Sequence, residues 1–87
     1  MNNQVDDLED VIEYQCNMCI AHIGEHIKEY REGSKMSQLA LASEIGVDQS
    51  NVCLWENGKT LPTVSNLVKI ADFFGLKLWA FLKEIDL

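Results

Sequence analysis

Cys16, Cys19, His22 and His26 spell C-x-x-C-x-x-H-x-x-x-H, and thiolates and imidazoles so close together are the ligand types of a zinc site. Geometry argues against a single centre. On a continuous helix the first and last of the four stand about 15 Å apart along the axis, whereas zinc ligands must all lie roughly 2.0–2.3 Å from one ion. An adjacent pair can share a metal; all four cannot unless the helix breaks. Cys16 and Cys19 also fall within an apolar stripe, where a free thiol packs as a small hydrophobe. A redox pair sits at a helix start after a strand, and no strand precedes this one. Cys53 reads as a packing residue. No nucleophile, base and orienting acid stand together, and no glycine loop cradles a phosphate. The expectation is therefore a protein without catalytic machinery, metal or cofactor.

The elements around these residues carry a clearer message. From Lys35 to Pro62 the chain reads KMSQLALASEIGVDQSNVCLWENGKTLP. Ser37 suits an N-cap, and Leu41, Ala42 and Ile45 recur on one helical face. Gly46 supplies the positive backbone angle that ends this helix, and Val47 plugs the corner. Asp48 caps a second helix with Val52 and Trp55 inward. Asn57-Gly58 closes it, and Leu61-Pro62-Thr63 blocks continuation while offering Thr63 as the next cap. Two short helices joined by a glycine turn make a helix-turn-helix, whose second helix suits a DNA major groove.

Upstream, Leu8, Ile12, Cys16, Cys19, Ile20, Ile23, Ile27 and Tyr30 form a stripe about 100° wide, as in an amphipathic helix. That helix runs from about Asp6 to Glu32, either unbroken or interrupted between Gln15 and Cys19, and Gly33 ends it. Downstream, Thr63 opens a fourth helix with Val64, Leu67, Val68, Ala71 and Phe74 inward, stopped by Gly75. A short fifth helix spans about Leu78 to Ile85, with Leu78, Phe81 and Leu82 inward. No stretch alternates as a strand does, so the class is all-α. Trp79 projects off the inward face of the last helix, and Trp79 and Phe81 are the candidate subunit contacts.

Eighty-seven residues make one domain with one modest core. The formal charge of −7 opposes nonspecific attraction to nucleic acid. Its distribution is uneven. Residues 1–19 hold Asp6, Asp7, Glu9, Asp10 and Glu13 with no lysine or arginine, whereas residues 20–87 hold nine acids and seven bases. The chain thus divides into an acidic N-terminal helical extension, 1–19, and a helix-turn-helix DNA-binding domain, 20–87. The helix-turn-helix itself has Lys35 and Lys59 against Glu44, Asp48 and Glu56. Binding to DNA should gain from dimerisation, from amide and hydroxyl contacts and from helix N-termini facing phosphates. The acidic start is unlike a signal peptide, no run approaches the roughly 18 apolar residues of a membrane span, and three cysteines suit a reducing compartment. These features place the protein in the cytoplasm.

Residues 20–82 resemble the lambda-repressor and Cro-like helix-turn-helix domain, often called XRE-like. SQLALASEIGV is similar to its second helix and turn, DQSNVCLWENGKTLP to its recognition helix and following loop, and LVKIADFFGLKLWAFL to its fourth and fifth helices. The resemblance implies a five-helix lambda-repressor-like fold with an extended N-terminal helical segment. By the same resemblance Gln38 bonds a phosphate and braces the recognition helix, and Gln49, Ser50 and Asn51 reach base edges. Asn57, Lys59 and Thr60 match the loop that clamps backbone phosphates. Many relatives place arginine where this chain has Gln49 and Leu54; Leu54 can touch a thymine methyl or a protein instead. Leu39 and Ala40 replace the charged residues usual early in the second helix. The implied function is a sequence-specific regulator, a repressor binding a palindromic double-stranded operator as a homodimer. The alternative is a protein-interaction module on the same fold, such as an antitoxin, anti-repressor or adaptor, engaging a protein through the acidic leading segment.

Overall fold

A computed structural model of the chain describes residues 3–85, with side chains throughout that range except at 3–10 and 14–16. Five helices follow one another: α1 (Asn3–Gly33), α2 (Gln38–Ile45), α3 (Gln49–Glu56), α4 (Val64–Phe73) and α5 (Leu78–Lys83). Among the described residues there is no strand, as the absence of alternating patterns predicts.

Helix α1 runs unbroken through the Gln15–Cys19 region, and also through Gly24 in its middle. Gly24 has a packing reason. A Cβ there would lie 1.9 Å from the Trp55 carbonyl oxygen and 2.9 Å from the Trp55 carbonyl carbon, so the glycine lets α1 settle directly on the C-terminal turn of α3. Of the residues on the expected stripe, Ile27 is buried and Ile23 and Tyr30 pack against the core, while Ile12 stands half-exposed. Leu8 and Cys16 lie outside the described side chains.

The ends of α1 to α4 share one hydrogen-bonding scheme. Met36 N–H donates to Arg31 O, Val47 to Ala42 O, Lys59 to Leu54 O and Leu76 to Ala71 O, each reaching back five residues at 2.8–3.1 Å. This closure needs a left-handed residue just before the donor. Gly46, Gly58 and Gly75 fill it in α2, α3 and α4; in α1 the residue is Lys35, with φ 58°, rather than Gly33. At the N-termini, Ser37 accepts from Ala40 N–H at 3.0 Å and Thr63 from Asn66 N–H at 3.1 Å, as expected of caps. Asp48 occupies the cap position of α3 in extended backbone, but its carboxylate makes no capping bond. Its contribution reduces to the attraction between an anion and the helix dipole.

The core gathers Ile27 of α1, Leu41, Ala42 and Ile45 of α2, Val52 and Trp55 of α3, Leu67, Ile70 and Ala71 of α4, and Phe81 of α5. Two expectations are corrected here. The inward face of α4 is centred on Leu67, Ile70 and Ala71, which leaves Val64 and Val68 exposed at its margin. Phe81 is 0% exposed, its ring 4.5 Å from that of His26 and 5.4 Å from that of Tyr30. A side chain enclosed by its own protomer has no surface to offer a second one, so the proposed subunit contact at Phe81 is withdrawn. Trp79, on the opposite side of α5, is 65% exposed.

Candidate nucleic-acid interface

Helix α3 is sharply two-sided. Val52 and Trp55 are buried, while Gln49, Ser50 and Asn51 of its first turn are all exposed, as is Leu54 one turn on. Since three and four residues separate neighbours on a helix surface, Ser50 and Leu54 share a face, as do Gln49 and Cys53. The amide and hydroxyl groups of the first turn can pair with base edges, and the Leu54 side chain offers an apolar contact beside them.

Two elements, α1 and α2, fix the orientation of α3. Arg31, near the end of α1, donates from Nε to Glu56 Oε2 at 2.7 Å and from Nη2 to Oε1 at 2.9 Å, and its Nη1 donates to the Met36 carbonyl at 2.7 Å. Gln38, the first residue of α2, donates from Nε2 to Glu56 Oε1 at 3.0 Å. Gln38 thus ties the first residue of α2 to the last residue of α3. The hydrogen bond to Glu56 raises the Arg31 pKa above its ordinary value, against the opposing effect of burial, and keeps the guanidinium charged. Glu56 itself is buried and paired. It thus drops out of the acids facing solvent near α3, leaving Glu44 and Asp48 there.

The loop after α3 presents Lys59 and Thr60 to solvent. Asn57 is exposed, but its Nδ2 donates back to the Cys53 carbonyl at 2.8 Å and lies 3.4 Å from Cys53 Sγ, so this amide first serves the C-terminus of α3. The structure brings Gln49, Ser50, Asn51 and Leu54 together on one short helix and places Asn57, Lys59 and Thr60 on the loop that leaves it. Trp79 and Phe81 belong to a different helix, α5.

The Cys and His stretch is organised otherwise. His22 Nδ1 donates to the Met18 carbonyl at 2.6 Å, and His26 is buried against the Tyr30 and Phe81 rings. His26 Nε2 lies 3.4 Å from Glu84 Oε1, in an alignment that makes no hydrogen bond. Among the described residues no three His, Cys, Asp or Glu side chains are placed to hold one metal ion, and the side chain of Cys16 lies outside them. Among the described residues, too, no helix is long and apolar enough to cross a membrane.

Sequence reasoning missed the Arg31–Glu56 pair and the close approach at Gly24. Both left a signal. Arg31 falls at helical spacing from the inward residues Ile27 and Tyr30, Glu56 directly follows a buried tryptophan, and a glycine in mid-helix ordinarily weakens it.

The family profile described as Helix-turn-helix matches residues 27–78, which takes in the last turns of α1, all of α2 to α4 and the start of α5. The chain belongs to the helix-turn-helix family, of the XRE or Cro/C1 type. Over 50 residues it is 40% identical to the cryptic phage CTXphi transcriptional repressor RstR of Vibrio cholerae, covering 58% of this chain and 45% of that protein. Among solved structures, the restriction-modification controller protein C.AhdI from Aeromonas hydrophila superposes with a TM-score of 0.66 at 26% identity, covering 71% of this chain and 94% of that one. Hydroxypropylphosphonic acid epoxidase from S. wedmorenis superposes at 0.62 with 35% identity, covering 70% of this chain but 32% of that one. The chain therefore spans less than half of the vibrio repressor it matches and a third of the epoxidase. Its fold is that of DNA-binding transcriptional regulators, and it also occurs as one part of a larger enzyme.

Proposed function

We propose that this helix-turn-helix protein is a transcriptional repressor that inserts the first turn of α3 into the major groove of a short, roughly palindromic operator, acting as a homodimer in the cytoplasm. The observation that carries the reading is the pairing of an exposed Gln49-Ser50-Asn51 edge with a buried, braced underside. Val52 and Trp55 are sunk in the core, and Glu56 is tied to both α1 and α2. A helix held so firmly can present three polar side chains in one geometry, which base discrimination requires. Gln49 pairs with an adenine edge, Asn51 serves a base or a phosphate, Leu54 meets a thymine methyl, and Lys59 and Thr60 hold the backbone with Gln38 and Asn57. One short helix reads few base pairs, so two copies about 34 Å apart supply the selectivity. Its work is binding rather than catalysis.

The second reading, an interaction module on the same fold, draws on the scarcity of bases near α3 and on the exposure of Leu39 and Leu54. Fluorescence anisotropy on DNA flanking the coding region, taken across a salt series, separates the two. A regulator binds selected sequences with a steep negative dependence on salt. Flat binding at low salt rejects operator reading and leaves the interaction module.

A further inference from the structure

His26 is 9% exposed, and its Nε2 is buried without a hydrogen-bond partner. An orphaned ring nitrogen is costly to bury, so what it faces matters. It stands 3.4 Å from Glu84 Oε1, across the seam between α1 and the residue that follows α5. Both residues line a surface hollow of about 320 Å³, together with His22, Glu25, Glu29 and Ile85. Five of those six side chains are imidazoles or carboxylates, and no lysine or arginine is among them. The hollow therefore suits a cation. Imidazoles mixed with carboxylates are the ligand types of zinc and the neighbouring transition metals, whereas magnesium and calcium prefer oxygen alone.

We propose that this hollow binds one divalent transition-metal cation of the zinc class, held by His22, His26 and Glu84, which clamps α1 to the end of α5. Ligands about 2.0–2.1 Å from a tetrahedral ion lie roughly 3.3 Å from one another. The 3.4 Å between His26 Nε2 and Glu84 Oε1 is thus the spacing of two ligands on one centre. His22 and His26 are four residues apart on α1, the interval at which two helical imidazoles share a metal. Because His22 Nδ1 donates to the Met18 carbonyl, the Nε2 of the neutral ring carries the lone pair a metal needs. Tyr30 donates its hydroxyl proton to Glu84 and so holds that carboxylate toward α1. As the side chains stand, His26 and Glu84 are at coordination spacing, and His22 is the third ligand to be drawn in. That closure moves a half-buried imidazole and a carboxylate side chain that is 46% exposed. Water or one of the exposed carboxylates of Glu25 and Glu29 completes the shell. An adjacent pair from the C-x-x-C-x-x-H-x-x-x-H run thereby shares the ion, and the cysteines take no part.

This site is independent of how α3 reads DNA, and its test needs no operator. The full chain, stripped with a chelator and kept reduced, is titrated with zinc and separately with magnesium by isothermal calorimetry. One zinc per chain is expected, with no response to magnesium and a melting temperature raised by saturating zinc. Because His26 is buried and its replacement can disturb the core, His22→Ala and Glu84→Gln carry the test. The glutamine still accepts from Tyr30. Each substitution should weaken zinc binding about tenfold or more, a loss at least as large as second-shell changes produce. Replacing Cys16 and Cys19 together by serine should leave the affinity unchanged, and cobalt in place of zinc should give ligand-field bands without a thiolate charge-transfer band. No zinc binding by the parent chain, an equal response to magnesium, full affinity in either His22→Ala or Glu84→Gln, or a loss that follows the cysteines would overturn the proposal.

Discussion

Arg31 and Glu56, 25 residues apart, meet in a two-pronged ion pair at the back of α3, with the arginine side chain 11% exposed and the carboxylate 2% exposed. Gln38 shares the same carboxylate, so a single buried acid gathers α1, α2 and α3. Parallel N–H···O bonds of this kind fix orientation as well as distance. The relationship therefore links the stability of the fold to the orientation of α3.

Removing one partner of a buried pair leaves the other charged and unsatisfied, at a cost of about 3–5 kcal/mol. Glu56→Ala is expected to lower stability by roughly 3 kcal/mol, which for a domain of this size amounts to about 15 °C or more in Tm. The double substitution Arg31→Met with Glu56→Leu should recover much of that loss, because it buries no lone charge. Thermal denaturation followed by circular dichroism checks both. A loss under about 0.5 kcal/mol for Glu56→Ala would show that the pair is effectively solvated.

At Gly24 two effects compete. Alanine is the better helix former by about 1 kcal/mol, and would stabilise α1 taken alone. Its Cβ, however, would sit 1.9 Å from the Trp55 carbonyl oxygen, a backbone atom that cannot swing aside. Forcing the two helices apart costs more than the propensity returns, so Gly24→Ala should destabilise by roughly 2 kcal/mol net. Urea unfolding measures the balance, and any stabilisation would mean that α1 does not seat on α3 as described.

Much of this architecture was legible because local rules and tertiary packing agree. The caps at Ser37 and Thr63, the glycine stops at Gly46 and Gly75, and the buried pair Val52 and Trp55 all follow from residue type and spacing. Failures cluster where packing overrides a local signal. Lys35 takes the left-handed position that sequence assigns to a glycine, because the backbone bond from Met36 N–H to Arg31 O and the Arg31 bond to the Met36 carbonyl fix the turn there. Asp48 sits at a cap without capping. Helical spacing turns Phe81 inward and Trp79 away, yet a large aromatic on a short terminal helix suggests a subunit contact at either; the His26 and Tyr30 rings of α1 lie against Phe81 and leave Trp79 exposed. Pairings such as Arg31 with Glu56 join residues far apart in sequence, which spacing within one helix cannot reveal.

Tyr30 donates its hydroxyl proton to Glu84 Oε1, joining α1 to the end of α5. That bond is the main reason its pKa is raised above the ordinary value of 10.0, with burial and the Glu84 charge adding to it. A raised folded-state pKa means that the native protein holds this proton more tightly than the unfolded chain. The resulting stability is complete below about pH 10 and is lost as pH rises through the higher native value. Tyr30→Phe should therefore be less stable than the parent at neutral pH and lose less on going from pH 9 to pH 11. Melting curves across that range are the check, and parallel profiles for the two proteins would show that the bond does not form in solution.

Gln49 and Lys59 should fail in different ways, because one is assigned to bases and the other to phosphates. A bidentate amide to adenine discriminates by about 1–3 kcal/mol, so Gln49→Ala should lose that preference at one or two positions while binding unrelated DNA as before. A lysine on a phosphate carries no sequence information, so Lys59→Ala should weaken every sequence alike and reduce the slope of log affinity against log salt by about one. Between residues 35 and 62 the bases are Lys35 and Lys59, so one lost phosphate contact is a large share of the electrostatic attraction. The measurement is anisotropy on a panel of single-base operator variants at several salt concentrations. Should both substitutions reduce affinity uniformly, Gln49 would be a backbone contact, and the sequence-reading role would pass to Ser50, Asn51 and Leu54.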